Sequence, residues 1–215
     1  MAAKELFEAR CARAMASSLA GPGPPFPLPN GTSLLISSAP GVEIGSAVWE
    51  GTSVLLQHLY SLPSAALRGA RVLELGCGVG VVGIACAALG AAAVELTDNK
   101  PALLSLVKHN IAANAGVARG CSALPLNWGV AGWTAFAGCK QPTLLLGADL
   151  VYTDEGAARL CETLACALHD DARLLLAYRE RGQGPAFFAT LEARGLAREA
   201  VHVAGAHTVF EVRKL

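Results

Sequence analysis

The chain has 215 residues, of which 53% are hydrophobic and 16% are charged, and its 17 basic residues balance its 17 acidic ones. This length and composition suit one large core, and the neutral net charge gives no general attraction for a polyanion, so we expect no nucleic-acid partner. No apolar run approaches the roughly 18 residues of a membrane span. The cysteines are scattered and contain no CxxC pair, a pattern typical of a reducing compartment.

The N-terminal segment differs in composition from the rest of the chain. Residues 1–20 combine basic and hydroxylic side chains, as an organellar transit peptide does, but the acidic residues among them argue against targeting. Residues 21–29 are dense in proline, which excludes a helix or a central strand, so we expect ordered structure to begin near Thr32. The sequence therefore predicts a flexible segment over 1–31, a single domain over 32–215, and a monomer of the cytoplasm that could also reach the nucleus.

Beyond this segment, strand-like and helix-like patterns alternate along the chain. Short apolar runs between turn residues predict strands at 33–37, 71–75, 92–97, 122–127, 143–148 and 173–178. Apolar residues at helical spacing predict helices at 48–62, 79–89, 99–114 (with Asn99 as its cap), 154–168 and 185–194. The last two strands, 196–203 and 208–212, predict an antiparallel hairpin. The predicted fold is α/β and Rossmann-like, a seven-stranded and mostly parallel sheet with helices on both faces.

A glycine-rich stretch joins the strand at 71–75 to the helix that follows it. The sequence from Val72 to Gly80 is VLELGCGVG. Glycine tolerates positive φ and has no side chain, so this turn allows the backbone to approach a ligand closely. Asp98 lies about 20 residues past the loop, at the tip of the next strand, where a carboxylate can accept hydrogen bonds from both hydroxyls of a ribose. The two features predict a cofactor that contains a nucleoside.

The sequence of the glycine loop matches the patterns of two cofactor classes, but its position relative to the strand matches only one of them. Residues 78–83 spell the dinucleotide pattern GxGxxG, but the first glycine of the turn is Gly76, so the full motif is ExGxGxG starting at Glu74. That form resembles motif I of the class I, seven-strand methyltransferases. The resemblance implies S-adenosyl-L-methionine as the cofactor and S-adenosyl-L-homocysteine as the product. It also implies that the loop cradles the amino-acid part of the cofactor while Asp98 holds its ribose.

Two further segments follow predicted strands at the edge where such sheets bind their ligands. Asn127 and Trp128 lie at the end of the strand predicted at 122–127, and the indole could stack on or wall an adenine. Ala148 precedes the sequence DLVY at Asp149 to Tyr152, which follows the strand predicted at 143–148. Methyltransferases that act on exocyclic amines of bases commonly carry Asn/Asp-Pro-Pro-Tyr/Phe at this place, so this segment indicates a different acceptor.

The DxxY sequence resembles that of the intracellular protein-lysine methyltransferases, which modify chaperones, elongation factors and the valosin-containing ATPase. The likeness covers nearly the whole folded chain and includes the segments 40–42, 48–50, 127–128, 178–181 and 209–214. It implies that the cofactor is surrounded by Trp49, Glu74, Gly76, Cys77, Gly78, Asp98, Asn127, Trp128 and Ala148. It also implies that the catalytic residues Asp149 and Tyr152 face the substrate.

The predicted function is therefore methylation of a lysine side chain on a non-histone protein. Asp149 could orient the amine or attract its charged form, and Tyr152 could hold the cation on its ring. The same residues could instead be a helix N-terminal acid and a half-buried wall. Methylation of arginine or histidine, methylation of a small molecule, and an inactive cofactor-binding scaffold remain alternatives. The histidines show no metal-ligand spacing, so no metal is expected.

Overall fold

A seven-stranded sheet forms the centre of the protein in the computed structural model, which describes residues 21–22, 25–28, 31–39, 43–63 and 65–215. Its strands are β1 (Arg71–Leu75), β2 (Ala93–Asp98), β3 (Cys121–Pro125), β4 (Leu144–Ala148), β5 (Arg173–Arg179), β6 (Leu196–Ala204) and β7 (His207–Lys214). Their order across the sheet is β6-β7-β5-β4-β1-β2-β3. The first five strands pair in parallel, and β7 pairs antiparallel with both β5 and β6. The predicted α/β fold with an antiparallel C-terminal hairpin is confirmed.

Helices cover both faces of this sheet. They are α1 (Glu50–Ser61), α2 (Val81–Ala88), α3 (Pro101–Ala113), α4 (Val130–Ala135), α5 (Asp154–Ala167) and α6 (Gly184–Ala193). Successive strand residues point to opposite faces, so Val72 packs with α1, α2 and α3, whereas Leu73 and Leu75 pack with α4, α5 and α6. Both faces are apolar because both are buried, which explains the continuous hydrophobic runs in the sequence. No helix in the described part of the chain is long and apolar enough to cross a membrane.

Packed structure begins earlier than the sequence predicted. Short strands at Gly21–Pro22 and Phe26–Pro27 pair antiparallel with Ser37–Ser38 and Ser33–Leu34, respectively. Phe26 is only 1% exposed and packs into the core beside α1 and α2. The expected start near Thr32 is therefore wrong, because proline excludes a central strand but not a two-residue pairing at an edge. The transit-peptide question concerns residues that lie outside the described ranges.

Two buried asparagines, one in α3 and one directly after it, hold residues 35–37 against the domain. The Asn114 side chain accepts a hydrogen bond from the Leu35 N–H and donates one to the Leu35 carbonyl, both at 2.8 Å. Asn110 makes the same pair of bonds with Ser37, at 2.9 and 3.0 Å, and donates another at 2.9 Å to the carbonyl of Val79 in the glycine loop. Each side-chain amide thus pairs with main-chain N–H and C=O groups as a neighbouring strand would. Asn110 connects residues 35–37 to the glycine loop.

Two local predictions differ from the structure. Helix α3 has Lys100 rather than Asn99 as its N-cap residue, because Pro101 is the first helical residue. The Asp98 carboxylate accepts the Lys100 N–H at 3.1 Å. Helix α4 forms in a stretch where we predicted neither a helix nor a strand, and its buried Trp133 anchors it to the core. Six residues are too few for helical periodicity to be visible in a sequence.

Replacing Asn110 with alanine should destabilise the fold. The change leaves the Ser37 N–H and the Ser37 and Val79 carbonyls without this partner, and we expect the free energy of unfolding to fall by about 2–4 kcal/mol. Urea unfolding followed by circular dichroism measures the loss. His109→Ala, at the adjacent exposed position of α3, is the matched control and should change the free energy by less than about 0.5 kcal/mol. Equal effects of the two changes would contradict a stabilising role of the Asn110 hydrogen bonds.

Candidate active site

A cavity of about 740 Å³ opens beyond the carboxyl ends of β1, β2 and β4. Ligand sites in open α/β sheets lie at this edge, and the volume falls within the range of small-molecule sites. The cavity brings together every site residue expected from the sequence: Trp49, Glu74, Gly76, Cys77, Gly78, Asp98, Asn127, Trp128, Ala148, Asp149 and Tyr152. Sequence reasoning missed the segment just before α1, where Glu43, Ile44, Gly45 and Ala47 form another wall. That segment carries no motif that could have revealed it.

The glycine loop needs glycine because of its backbone and its neighbours. Gly76 and Gly78 both have φ of +55°, which is costly for other residues. A Cβ on Gly78 would lie 2.6 Å from the carbonyl oxygen of Gly45, and a Cβ on Gly76 would lie 2.8 Å from a methyl carbon of Leu150. The loop is therefore packed between the segment before α1 and the segment after β4, and a side chain at either glycine would displace one of them.

The carboxyl group of Glu74 supports the loop from beneath. Glu74 is 4% exposed, and its Oε2 accepts the Gly83 N–H at 2.8 Å in the first turns of α2. The Thr97 hydroxyl donates to the Glu74 carbonyl at 2.7 Å, which ties β1 to β2 at the same level. Burial raises the pKa of Glu74 to about 8, against the opposing effect of the Gly83 hydrogen bond. Glu74 is therefore largely protonated at neutral pH and fixes the junction of loop and helix.

Asp98 ends β2 beside the loop and borders the cavity. Its carboxylate accepts the Lys100 N–H at 3.1 Å and the Gly78 N–H at 3.4 Å. Burial raises the pKa of Asp98, and these backbone hydrogen bonds counteract the rise. The side chain is half-buried, so part of its acceptor capacity faces the cavity.

Two tryptophans form walls of the cavity. Trp128 is half-buried and lies over Gly76, since a Cβ on that glycine would be 3.2 Å from the Trp128 ring. Trp49 is 48% exposed, and its indole N–H donates to the Ile44 carbonyl at 2.9 Å. That hydrogen bond fixes the Trp49 ring at the mouth of the cavity.

Asp149 has an unusual backbone conformation and an unusual set of partners. It is the single non-glycine residue with positive φ, at +56°, in the part of the chain that the structure describes. Its Oδ2 accepts the Gly51 N–H at 2.9 Å, and its Oδ1 accepts bonds from Arg181 at 3.3 Å and from His207 at 3.2 Å. Asp149 thus lies at a helix N-terminus, but that helix is α1. Helix α5 is capped by Thr153, whose hydroxyl accepts the Gly156 N–H at 3.1 Å.

The remaining members of the site divide into exposed and buried ones. Tyr152 is 44% exposed at the mouth, so it is not the half-buried wall that was one interpretation of the sequence. Cys77 is buried, and burial raises the pKa of its thiol well above the usual value. His207 was discounted in the sequence for lack of metal spacing, and it reaches Asp149 through the pairing of β7 with β5. No group of three or more metal-binding side chains occurs in the described ranges.

The sheet order, the antiparallel last strand and the ExGxGxG loop with an acid at the end of β2 define a class I methyltransferase, the class that uses S-adenosylmethionine. A model of the family described as lysine methyltransferases matches residues 29–194, so this chain belongs to that family. The predicted methyltransferase class and its cofactor are confirmed, and the predicted lysine acceptor is confirmed at the level of the family.

Named relatives agree with this assignment. The protein N-lysine methyltransferase METTL21A of Mus musculus is 33% identical over 161 residues, which are 74% of this chain and 72% of that protein. The EEF1A lysine methyltransferase 3 of Mus musculus is 34% identical over 168 residues, covering 75% and 68% of the two chains. The crystal structure of a ribosomal protein L11 methylase from Lactobacillus delbrueckii subsp. bulgaricus shares the fold, with a TM-score of 0.65, 19% identity, and coverage of 84% of this chain and 86% of that one.

The residues around the cavity fit the cofactor chemically. The loop presents backbone without side chains at Gly76 and Gly78, Asp98 presents a hydrogen-bond acceptor, and Trp128 presents an aromatic face. An amino acid, a ribose and an adenine need these three kinds of surface.

Replacing Glu74 with glutamine should change how stability depends on pH. From pH 4.5 to about 8 the unfolded chain has released the Glu74 proton while the folded chain keeps it, so this residue lowers the free energy of unfolding as the pH rises. Glutamine keeps an acceptor for Gly83 and does not titrate. We expect the free energy of unfolding of Glu74→Gln, measured by urea titration, to increase steadily relative to that of the parent as the pH rises from 4.5 to about 8. A difference that is constant with pH would contradict the raised pKa.

Proposed function

We propose that this protein transfers a methyl group from S-adenosylmethionine to a lysine side chain of a non-histone protein, with Asp149 and Tyr152 on the acceptor side. The observation that carries the proposal is the position of the DxxY segment. Asp149 borders the inner part of the cavity, whereas Tyr152, three residues later, is exposed at its mouth. The relatives named as protein-lysine methyltransferases support the choice of acceptor.

The cofactor is assigned to the inner part of the cavity. We assign the ribose to Asp98, the adenine to the wall formed by Asn127 and Trp128, and the amino-acid part to the loop from Gly76 to Gly78. Glu74 acts through the loop, because its carboxyl group bonds to Gly83. We also assign Ala148 and Trp49, which line the cavity, to the cofactor. The cofactor, when bound, supplies an electrophilic methyl group on a sulfonium.

The chemistry requires a neutral amine aimed in line with the bond from sulfur to methyl. Asp149 accepts three hydrogen bonds from the protein, which leaves about one of the roughly four acceptor positions of a carboxylate for the substrate amine. The Tyr152 ring offers a surface for the cationic form of the lysine before it loses its proton. Glu43 also borders the cavity and favours the approach of a cation, whereas Glu155 is paired with Arg159 at 3.0 Å.

The mouth of the cavity favours a macromolecular substrate over a small metabolite. Ile44, Trp49 and Tyr152 are 66%, 48% and 44% exposed around it. Apolar side chains this exposed at a site entrance are typical of a surface that contacts another protein. A small-molecule enzyme would more commonly enclose its substrate.

We also propose that the protein acts as a monomer in the cytoplasm. The free cysteines of the described residues support a reducing compartment. Light scattering at micromolar concentration tests the oligomeric state, and imaging of the tagged chain tests its location.

Asp98→Ala should abolish cofactor binding. Two hydrogen bonds from ribose hydroxyls to a charged carboxylate correspond to at least about a hundredfold in affinity. Calorimetric titration with S-adenosylhomocysteine measures the change. Asp98→Asn keeps the shape of the side chain without its charge, so its affinity should lie between those of the parent and Asp98→Ala. If Asp98→Ala binds as tightly as the parent, the ribose assignment is wrong.

Asp149→Ala should spare cofactor binding and remove turnover. The assay uses purified protein, labelled S-adenosylmethionine and a cell extract, followed by gel separation and peptide mapping. With the parent, we expect a discrete labelled protein whose label maps to lysine. With Asp149→Ala, we expect that label to fall at least about a hundredfold while the affinity for S-adenosylhomocysteine stays within a few fold. Label confined to small molecules would favour a metabolite enzyme, and its absence despite cofactor binding would favour the scaffold.

A further inference from the structure

Asp149 joins three segments that are distant in the sequence. Its carboxylate, with the side chain 9% exposed, accepts hydrogen bonds from Gly51 in the first turn of α1, from Arg181 after β5, and from His207 at the start of β7. Its backbone N–H donates to the Ala177 carbonyl of β5 at 3.0 Å. The side chain and the main chain of Asp149 are therefore both held by other segments.

The contact with α1 is close enough to require glycine at residue 51. A Cβ on Gly51 would lie 2.5 Å from Oδ2 of Asp149. Gly51 follows Trp49 by two residues, and Tyr152 follows Asp149 by three. The hydrogen bond between Gly51 and Asp149 thus sets the distance between the two aromatic sides of the cavity mouth.

His207 controls one oxygen of this carboxylate. It is 1% exposed, and its main chain pairs with Arg179 of β5 and Ala204 of β6. Its Nε2 lies 3.2 Å from Oδ1 of Asp149. A carboxylate that already accepts from an amide N–H and a guanidinium accepts from imidazole too, which assigns the proton to Nε2. The Nδ1 atom is buried and has no hydrogen-bond partner, and it lies 4.0 Å from Oε2 of Glu50.

We propose that His207 is a positioning residue for methyl transfer. Its Nε2–H holds Oδ1 of Asp149, so that Oδ2 stays on Gly51 and the remaining acceptor position points toward the substrate amine. Without this bond Oδ1 keeps only the longer contact with Arg181, at 3.3 Å from a partly exposed side chain, so the carboxylate is held less firmly and the spacing between the walls that carry Trp49 and Tyr152 loosens. This inference rests on the proposed function and adds to it a residue 58 positions from Asp149 in the sequence.

Two amide substitutions separate the hydrogen bond from the volume of the side chain. The amide nitrogen of glutamine reaches about the place of Nε2, and that of asparagine about the place of Nδ1. His207→Gln can therefore keep the donor to Asp149, whereas His207→Asn loses it. His109→Asn, on the exposed side of α3, controls for the exchange of histidine for asparagine.

The kinetic experiment compares these variants with the parent under saturating S-adenosylmethionine. We expect His207→Asn to lower kcat for methyl transfer at least tenfold, the loss expected for one hydrogen bond to a charged group, with the affinity for S-adenosylhomocysteine within twofold. His207→Gln should restore kcat to within about threefold of the parent, and His109→Asn should have no effect. Equal kcat values for His207→Asn and the parent overturn the proposal. Equal losses in both His207 variants, or a loss that follows melting temperature and cofactor affinity, show a structural role and also overturn it.

A measurement on the unaltered protein needs neither turnover nor a variant that folds. Nitrogen NMR of the protein with labelled histidine reports which imidazole nitrogen of His207 carries the proton. We expect Nε2 to carry a proton, and an Nε2 without a proton would overturn the proposal. If the parent methylates no protein, the proposed function fails, whereas this measurement still decides whether His207 donates to Asp149.

Discussion

The site depends on one constraint, the close approach of backbone at the end of β1. The loop from Gly76 to Gly78 turns with positive φ, and its neighbours leave no room for side chains there. The Cys77 N–H donates to the Thr97 carbonyl at 2.9 Å, so the loop is fastened to β2 as well as to α2. Because the Cys77 bond joins main chain to main chain and the Glu74 carboxyl group is buried beneath the loop, neither covers the surface that the loop presents to the cavity. The cavity walls are positioned relative to this turn.

The described residues just before α1, from 35 to 39 and from 43 to 49, are part of the same arrangement. Asn110 bonds both to Ser37 and to the Val79 carbonyl at the end of the loop, and Gly45 contacts Gly78 directly. A movement of the loop is therefore transmitted to the segment that carries Ile44 and Trp49. This segment and the loop border the same cavity, and their positions are coupled through the Asn110 side-chain hydrogen bonds and the contact between Gly45 and Gly78.

Much of the fold was readable in the sequence because buried strands and amphipathic helices leave regular patterns. Strand β1 lies at the predicted residues, and β4 differs by one residue at its start. The glycine loop and the acid that follows it indicated the site, because both reflect local backbone geometry. What the sequence did not show depends on contacts between distant segments. The wall near Gly45 and the bond from His207 to Asp149 exist because the chain folds back, and neither has a local signature. The predicted N-cap of α3 lies one residue too early, because Pro101 is the first helical residue and Lys100 therefore holds the N-cap position.

The Cys77 thiol of the glycine loop is buried, and this burial affects how the protein reacts with oxidants. A thiol reacts as its thiolate, and burial holds the pKa of Cys77 well above the usual value. Cys86 is buried with a pKa that is likewise raised, whereas Cys166 is exposed on α5. Peroxide or an alkylating reagent therefore reacts with Cys166 before it reacts with Cys77 in the loop. Cys166 can be modified, or used to attach a probe, while the turn that borders the cavity stays chemically unchanged.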